Sequence, residues 1–290
     1  MIRRATAIIR RLYELPPEEV DHQVQRRLSG KPGSLPISYR ALRPSRPYDF
    51  LSRYQRIPAC VAGWEDLDFT SKDVLEIGAG PLAFYGPLSL FLGARSYTSI
   101  DPDSAIQPFA DPRLIVAYLK PMYSDLSALY GERMRLPEFL AAARERVMVR
   151  PVSALDARDV GPVDIVLSNS CLEHVFPSQE SLAHISSLMR PGARHLHLMD
   201  FGNHLPTALP FDDMYDLSRE EYWARHRKTI KLARLDDVHQ AFLSAGLDPI
   251  VAPVAVVPPE DRFEPGSREW ALGSGQDIWT RTALFSGTRA

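Results

Sequence analysis

The residues able to do chemistry fall in three short runs: Glu76-Ile77-Gly78-Ala79-Gly80, Asn169-Ser170-Cys171-Leu172-Glu173-His174 and Asp200-Phe201-Gly202-Asn203-His204. In the first, two glycines one residue apart let backbone approach a ligand that a Cβ would block. Glu76 beside them would repel a pyrophosphate and suit a cationic ligand. The other two runs each carry a histidine among acidic and amide neighbours. Histidine is the side chain whose ordinary pKa suits taking a proton from a hydroxyl near neutrality. Of the eight histidines, His174 and His204 fall where a strand hands over to a loop. His22, His184, His226 and His239 lie on expected helices or surface segments, and His195 and His197 alternate within a strand.

Those positions depend on the elements around them. Val74-Leu75-Glu76-Ile77 is a short apolar run that ends in the glycine turn, and Pro81 suits the first turn of a following helix. A buried parallel strand feeding a helix in this way builds a ligand crevice at the carboxyl edge of a doubly wound sheet. Ser96-Tyr97-Thr98-Ser99-Ile100 is a second strand, and Asp101 after it can accept hydrogen bonds from two ribose hydroxyls. Residues 103–147 are too long for one crossover helix and read as a helical insertion. Further strands are expected at Val147-Met148-Val149, Val163 to Ser168 and His195 to Met199. They deliver Asp156 and Ala157, Asn169 and His174, and Asp200 and His204 to the same edge. Arg190-Pro191-Gly192 reads as the stop of the intervening helix. Pro249 to Val257 and Asp277 to Ser286 form a final pair, antiparallel because no clear crossover helix joins them.

Gly78 to Ala83 also fits the dinucleotide fingerprint, with Asp101 about 20 residues on. Glu76 and the antiparallel ending favour a sulfonium donor instead. The acid-x-Gly-x-Gly run, Asp101, the Leu172-Glu173-His174-Val175 segment, Arg190-Pro191-Gly192 and the strand after it, in this order, resemble the class I S-adenosylmethionine-dependent methyltransferases. The third glycine common in that family's first motif is Leu82 here. The resemblance covers residues 72–200 and implies a Rossmann-like, seven-stranded, mostly parallel sheet with an antiparallel final strand. It also implies S-adenosylmethionine as cofactor, held by Glu76, Gly78, Gly80, Asp101, Asp156, Ala157 and Asn169. Asp156 would meet the adenine amino group, with Asp159 as its rival.

Residues 194–250 look like methyltransferases encoded with bacterial surface-polysaccharide enzymes, which implies a sugar or glycan hydroxyl as acceptor. On that reading His204 is the base, with Asp200 orienting it and His174 as the alternative. Tyr54, Tyr215, Trp223 and Arg234 would then line the acceptor pocket, with Arg56 a further candidate. Other readings are O-methylation of a small phenolic or natural-product metabolite, and a non-catalytic donor-binding module. Asp200, Asp212 and Asp213 offer oxygens to magnesium but read as solvated loop carboxylates, so no metal is expected.

A net charge of −2 over 290 residues gives no basic field to recruit nucleic acid. Cys60 and Cys171 make neither a disulfide framework nor a zinc cluster and fit a reducing, cytoplasmic setting. No apolar run approaches the roughly 18 residues of a membrane span. The basic and apolar start, residues 1–13, is expected to be a helix packed with its arginines outward; contact with an anionic membrane surface is the alternative. Residues 1–70 are expected to form a helical cap and 71–290 the core.

Overall fold

A computed structural model describes residues 67–79, 83, 85–102, 108–110, 112, 115–176, 178–204, 210–211, 213–226, 230–271 and 277–290. Gly80, Tyr54, Arg56, Cys60, Asp212, the segment 1–13 and nearly all of the expected cap lie outside these residues. Seven strands form one sheet: β1 Asp73–Ile77, β2 Ser96–Ile100, β3 Val147–Arg150, β4 Val163–Asn169, β5 Met189–Asp200, β6 Leu247–Val256 and β7 Thr280–Arg289. Their order is β3-β2-β1-β4-β5-β7-β6. The pairs from β3 to β5 are parallel. The final strands are antiparallel, so the expected architecture is observed.

The first four strands are short, four to seven residues each. Leu75 and Val166 are fully buried, as strands covered on both faces require. Helix α1, Tyr85–Phe91, is buried at every residue. The insertion supplies its cover: helices α2, Lys120–Tyr130, and α3, Leu136–Arg146, bring Tyr123 and Phe139 edge-on to Phe91, each at 6.0 Å. At the amino ends of the strands Asp73 pairs with Arg95 and Arg190, and Arg190 reaches Asp164 at 2.9 Å. The Arg95 guanidinium holds the Asp73 carboxyl well below the usual range.

β5 differs from expectation. It begins at Met189, so Arg190-Pro191-Gly192 lies inside the strand instead of only closing helix α4, Ser178–Ser187. Its His195 and His197 point to one face, with ring centroids 5.3 Å apart. They pack on Phe242 of the helix Leu235–Ser244, which itself stacks on Phe285 of β7. β6 is an edge strand with Ile250 62% and Val254 40% exposed, and it contains Pro249 and Pro253.

The described chain falls into two compact units, one holding 67–199, 239–252 and 284–290, the other 200–238 and 253–283. The second unit has its own interior, built from Phe211, Tyr215, Trp270 and Trp279. No helix among the described residues is long and apolar enough to cross a membrane.

Candidate functional site

In the sheet unit, the parallel register aligns the ends of four strands. Ile77 lies opposite Ile100 and Ser168, and Ile100 opposite Arg150. The ladder continues one rung past the strand ends: Gly78 N–H donates to the Ile100 carbonyl at 2.8 Å and Asp101 N–H to the Arg150 carbonyl at 3.1 Å. Gly78, Asp101 and Asn169 therefore meet on one carboxyl edge, as the sequence expected.

Gly78 has φ +74°, and a Cβ there would lie 2.0 Å from Cys171 Sγ and 2.4 Å from its Cβ. Two costs fall on any substitution: the left-handed backbone and the clash. Gly78→Ala should lower stability by about 2–5 kcal/mol in urea unfolding. A Cys171→Ala partner should not rescue it, since the cysteine Cβ is itself too close. An unchanged midpoint would show that the turn relaxes freely.

Glu76 is 2% exposed, two residues before that turn. The Tyr97 hydroxyl donates to its carboxylate, and so does the Tyr85 backbone N–H. Burial pushes its pKa up to about 8; the two donors offset this in part, and the charge of Asp101 adds to the rise. The carboxyl is thus largely neutral at pH 7 until a cation comes close enough to favour its ionised form. Asn169 donates to the Tyr85 hydroxyl at 3.3 Å, so Tyr85 touches both acid and amide. Tyr85 and Tyr97 were not anticipated. A signal for Tyr97 exists, since Val74 lies opposite it and strand alternation then puts it on the Glu76 face.

Asp156 is exposed on the turn Ala154–Asp156 and accepts from the Ser153 hydroxyl at 2.6 Å, while Ala157 beside it is buried. His174 closes the turn Leu172–His174 and is exposed.

In the second unit, Asp200 Oδ1 accepts from Gly202 N–H at 2.8 Å, leaving Oδ2 4.0 Å from His204 Nε2. His204 is exposed with φ +51°, in the region a non-glycine residue seldom adopts. Tyr215 and Arg234 are both buried within the second unit. Tyr215 is fully buried, donates to the Ile278 carbonyl and stacks on Phe211 at 4.9 Å. Arg234, 4% exposed, donates to the Tyr215 hydroxyl at 3.0 Å and to the Phe201 carbonyl at 3.1 Å. Trp223 is half-buried, its indole N–H on the Ile230 carbonyl at 2.8 Å. A further pair escaped the sequence reading: His226 Nε2 lies 3.0 Å from Asp213 Oδ2, beneath the Tyr222 ring.

No protein-family profile and no curated protein matches the chain. Solved structures resemble it in fold. An S-adenosylmethionine-dependent methyltransferase of Mesorhizobium loti is 9% identical, over 82% of this chain and 98% of that one, with a TM-score of 0.45. An O-methyltransferase family protein of Burkholderia thailandensis is 17% identical over 83% of this chain and 56% of that one, TM-score 0.44. The 1,6-didemethyltoxoflavin-N1-methyltransferase of the same organism is 17% identical over 90% and 92%, TM-score 0.41.

Proposed function

We propose that the chain is an S-adenosylmethionine-dependent methyltransferase acting on a small hydroxylated acceptor. The carrying observation is Glu76, a buried carboxyl beside a glycine turn that no Cβ can enter. A pyrophosphate there would keep the carboxyl neutral and find no positive charge beside it among the described residues. A sulfonium and an ammonium draw the same group into its ionised form. Asp101 at the end of β2 suits ribose hydroxyls, Asp156 the adenine amino group, and Asn169 the same edge. The donor supplies an electrophilic methyl on a positively charged sulfur. His204 takes the acceptor's proton, and Asp200 orients the imidazole or binds a neighbouring hydroxyl.

Within hydroxylated acceptors, a small phenolic or natural-product metabolite is better supported than a glycan of surface-polysaccharide synthesis. The sugar reading leaned in part on Tyr215 and Arg234, whose hydroxyl and two terminal guanidinium nitrogens bond inside the second unit. Transfer of tritiated methyl to catechol against a methyl hexoside separates the two classes. Donor binding with transfer to neither favours the non-catalytic module. We place the reaction in the cytoplasm.

Asp101→Ala should weaken S-adenosylhomocysteine binding by about 1.5–3 kcal/mol in calorimetry, the range for a hydrogen bond to a charged partner. Unchanged affinity would mean that the ribose is held elsewhere. Tighter binding of NADH than of S-adenosylhomocysteine would overturn the assignment.

A further inference from the structure

Five of the eight backbone groups in the four residues after β5 have protein partners. Phe201 N–H donates to the Arg281 carbonyl and Asn203 N–H to the Pro210 carbonyl, both at 2.6 Å. Gly202 N–H is taken by Asp200. The two carbonyls are met by buried side chains from elsewhere in the unit: Phe201 by Arg234 at 3.1 Å, and Asn203 by the Tyr222 hydroxyl at 2.9 Å. Surface loops usually leave such groups to water.

Arg234 is an expensive way to satisfy one carbonyl. Its guanidinium is buried with no carboxylate in ion-pair range among the described residues, and its Nε has no hydrogen-bond partner. The rings of Phe201, Phe211, Tyr215 and Trp270 surround it at 5.4–5.6 Å. A cation so enclosed cannot swing away, so its grip on Phe201 is fixed. Tyr222, 1% exposed, is equally confined by the His226 ring at 4.7 Å. Between and beyond these two clamps the chain turns into the left-handed conformation of His204.

We infer that Tyr222 and Arg234 are positioning residues for His204, holding the carbonyls of Asn203 and Phe201 so that the imidazole keeps one place beside Asp200. The inference rests on the reading of His204 as proton acceptor. A misplacement of about 1 Å can cost a reaction on the order of 100-fold, so a mount of this kind is worth its buried cation.

Tyr222→Phe keeps the ring and removes only the donor. It should lower kcat about 10-fold or more, on whichever of catechol or methyl hexoside accepts methyl, with KM and S-adenosylhomocysteine affinity within about twofold. The His204 imidazole signals should move in histidine-labelled protein while those of His184, on helix α4, stay put. In a His204→Ala background the same substitution should cost nothing more, because residues acting as a unit are non-additive. Arg234→Lys, which keeps a donor, should lose less than Arg234→Met. An equal loss from Tyr222→Phe with and without His204, or unmoved His204 signals, would overturn the inference. Full activity in His204→Ala would instead remove the base reading, and the imidazole signals, which need no acceptor, would still decide whether Tyr222 sets the ring.

Discussion

His204→Ala should lower methyl transfer by about 10²- to 10⁴-fold, the usual cost of losing a positioned base. S-adenosylhomocysteine affinity should stay nearly unchanged, because the residues proposed to hold the donor lie on β1, β2 and β4 and the loops after them. The size of the effect follows from the state of the nucleophile. A hydroxyl must lose its proton as it attacks, and only a group held near it can take that proton without waiting for solvent. Asp200 is suited to orient such a group, since one of its oxygens is fixed by Gly202 N–H and the other faces the imidazole. His174→Ala should cost less, since His174 closes an exposed turn after β4. The reverse ranking, read from single-turnover rates, would move the base to the loop after β4. Full activity in both variants would leave proximity to carry the reaction.

The second expected result is a stability profile that peaks near pH 6.5. Burial holds the His195 imidazole down at about 3 against an ordinary 6.5, and the Arg194 charge adds to this; burial also holds His197 well below its ordinary value. Both are neutral when folded and take a proton on unfolding, so their stability is present above 6.5 and is lost as pH falls toward 3. Each contributes about 1.4 kcal/mol per pH unit, and the pair about 3. Glu76 acts in the opposite sense. Its carboxyl is raised from 4.5 to about 8, so the folded state holds the extra proton and stability falls as pH rises through that window. Between 4.5 and 6.5 two histidines outweigh one glutamate, and above 6.5 the glutamate acts alone. Urea unfolding across the range checks this. His195→Leu with His197→Leu should flatten the acid limb and spare the alkaline fall, whereas Glu76→Gln should do the reverse. An acid limb of unchanged slope in the double variant would assign it to other groups. Asp73 is among them, but its effect lies below 3.8.

Much of the sheet is legible because β1 and β4 are apolar runs bounded by turn residues and β2 is a short run of strand formers, and the positions of Glu76, Gly78 and Asp101 follow from where those runs stop. The start of β5 is not, because Arg190-Pro191-Gly192 carries stop signals for a helix while its neighbours in the sheet keep it extended. Arg234 and Tyr215 mislead for a different reason. A guanidinium and a phenol signal exposure by type, and only the second unit's packing, with rings and carbonyls drawn from four segments, makes burial affordable. Tyr97 and Tyr222 depend on register and on contacts across 21 and 19 residues, which local pattern does not carry.

The exposed outer strand β6 has a bearing on how the protein behaves in crowded solution. A ten-residue outer strand bearing Ile250 and Val254 would ordinarily recruit a strand from another chain, the first step toward swapped dimers or fibres. Pro249 and Pro253 stand four residues apart, so their ring nitrogens face the same side, and a proline is tolerated only on the side that makes no rungs. Where a newcomer would look for amide hydrogens, two are missing. The greasy margin of the sheet is thereby closed to strand-by-strand growth at two of its rungs.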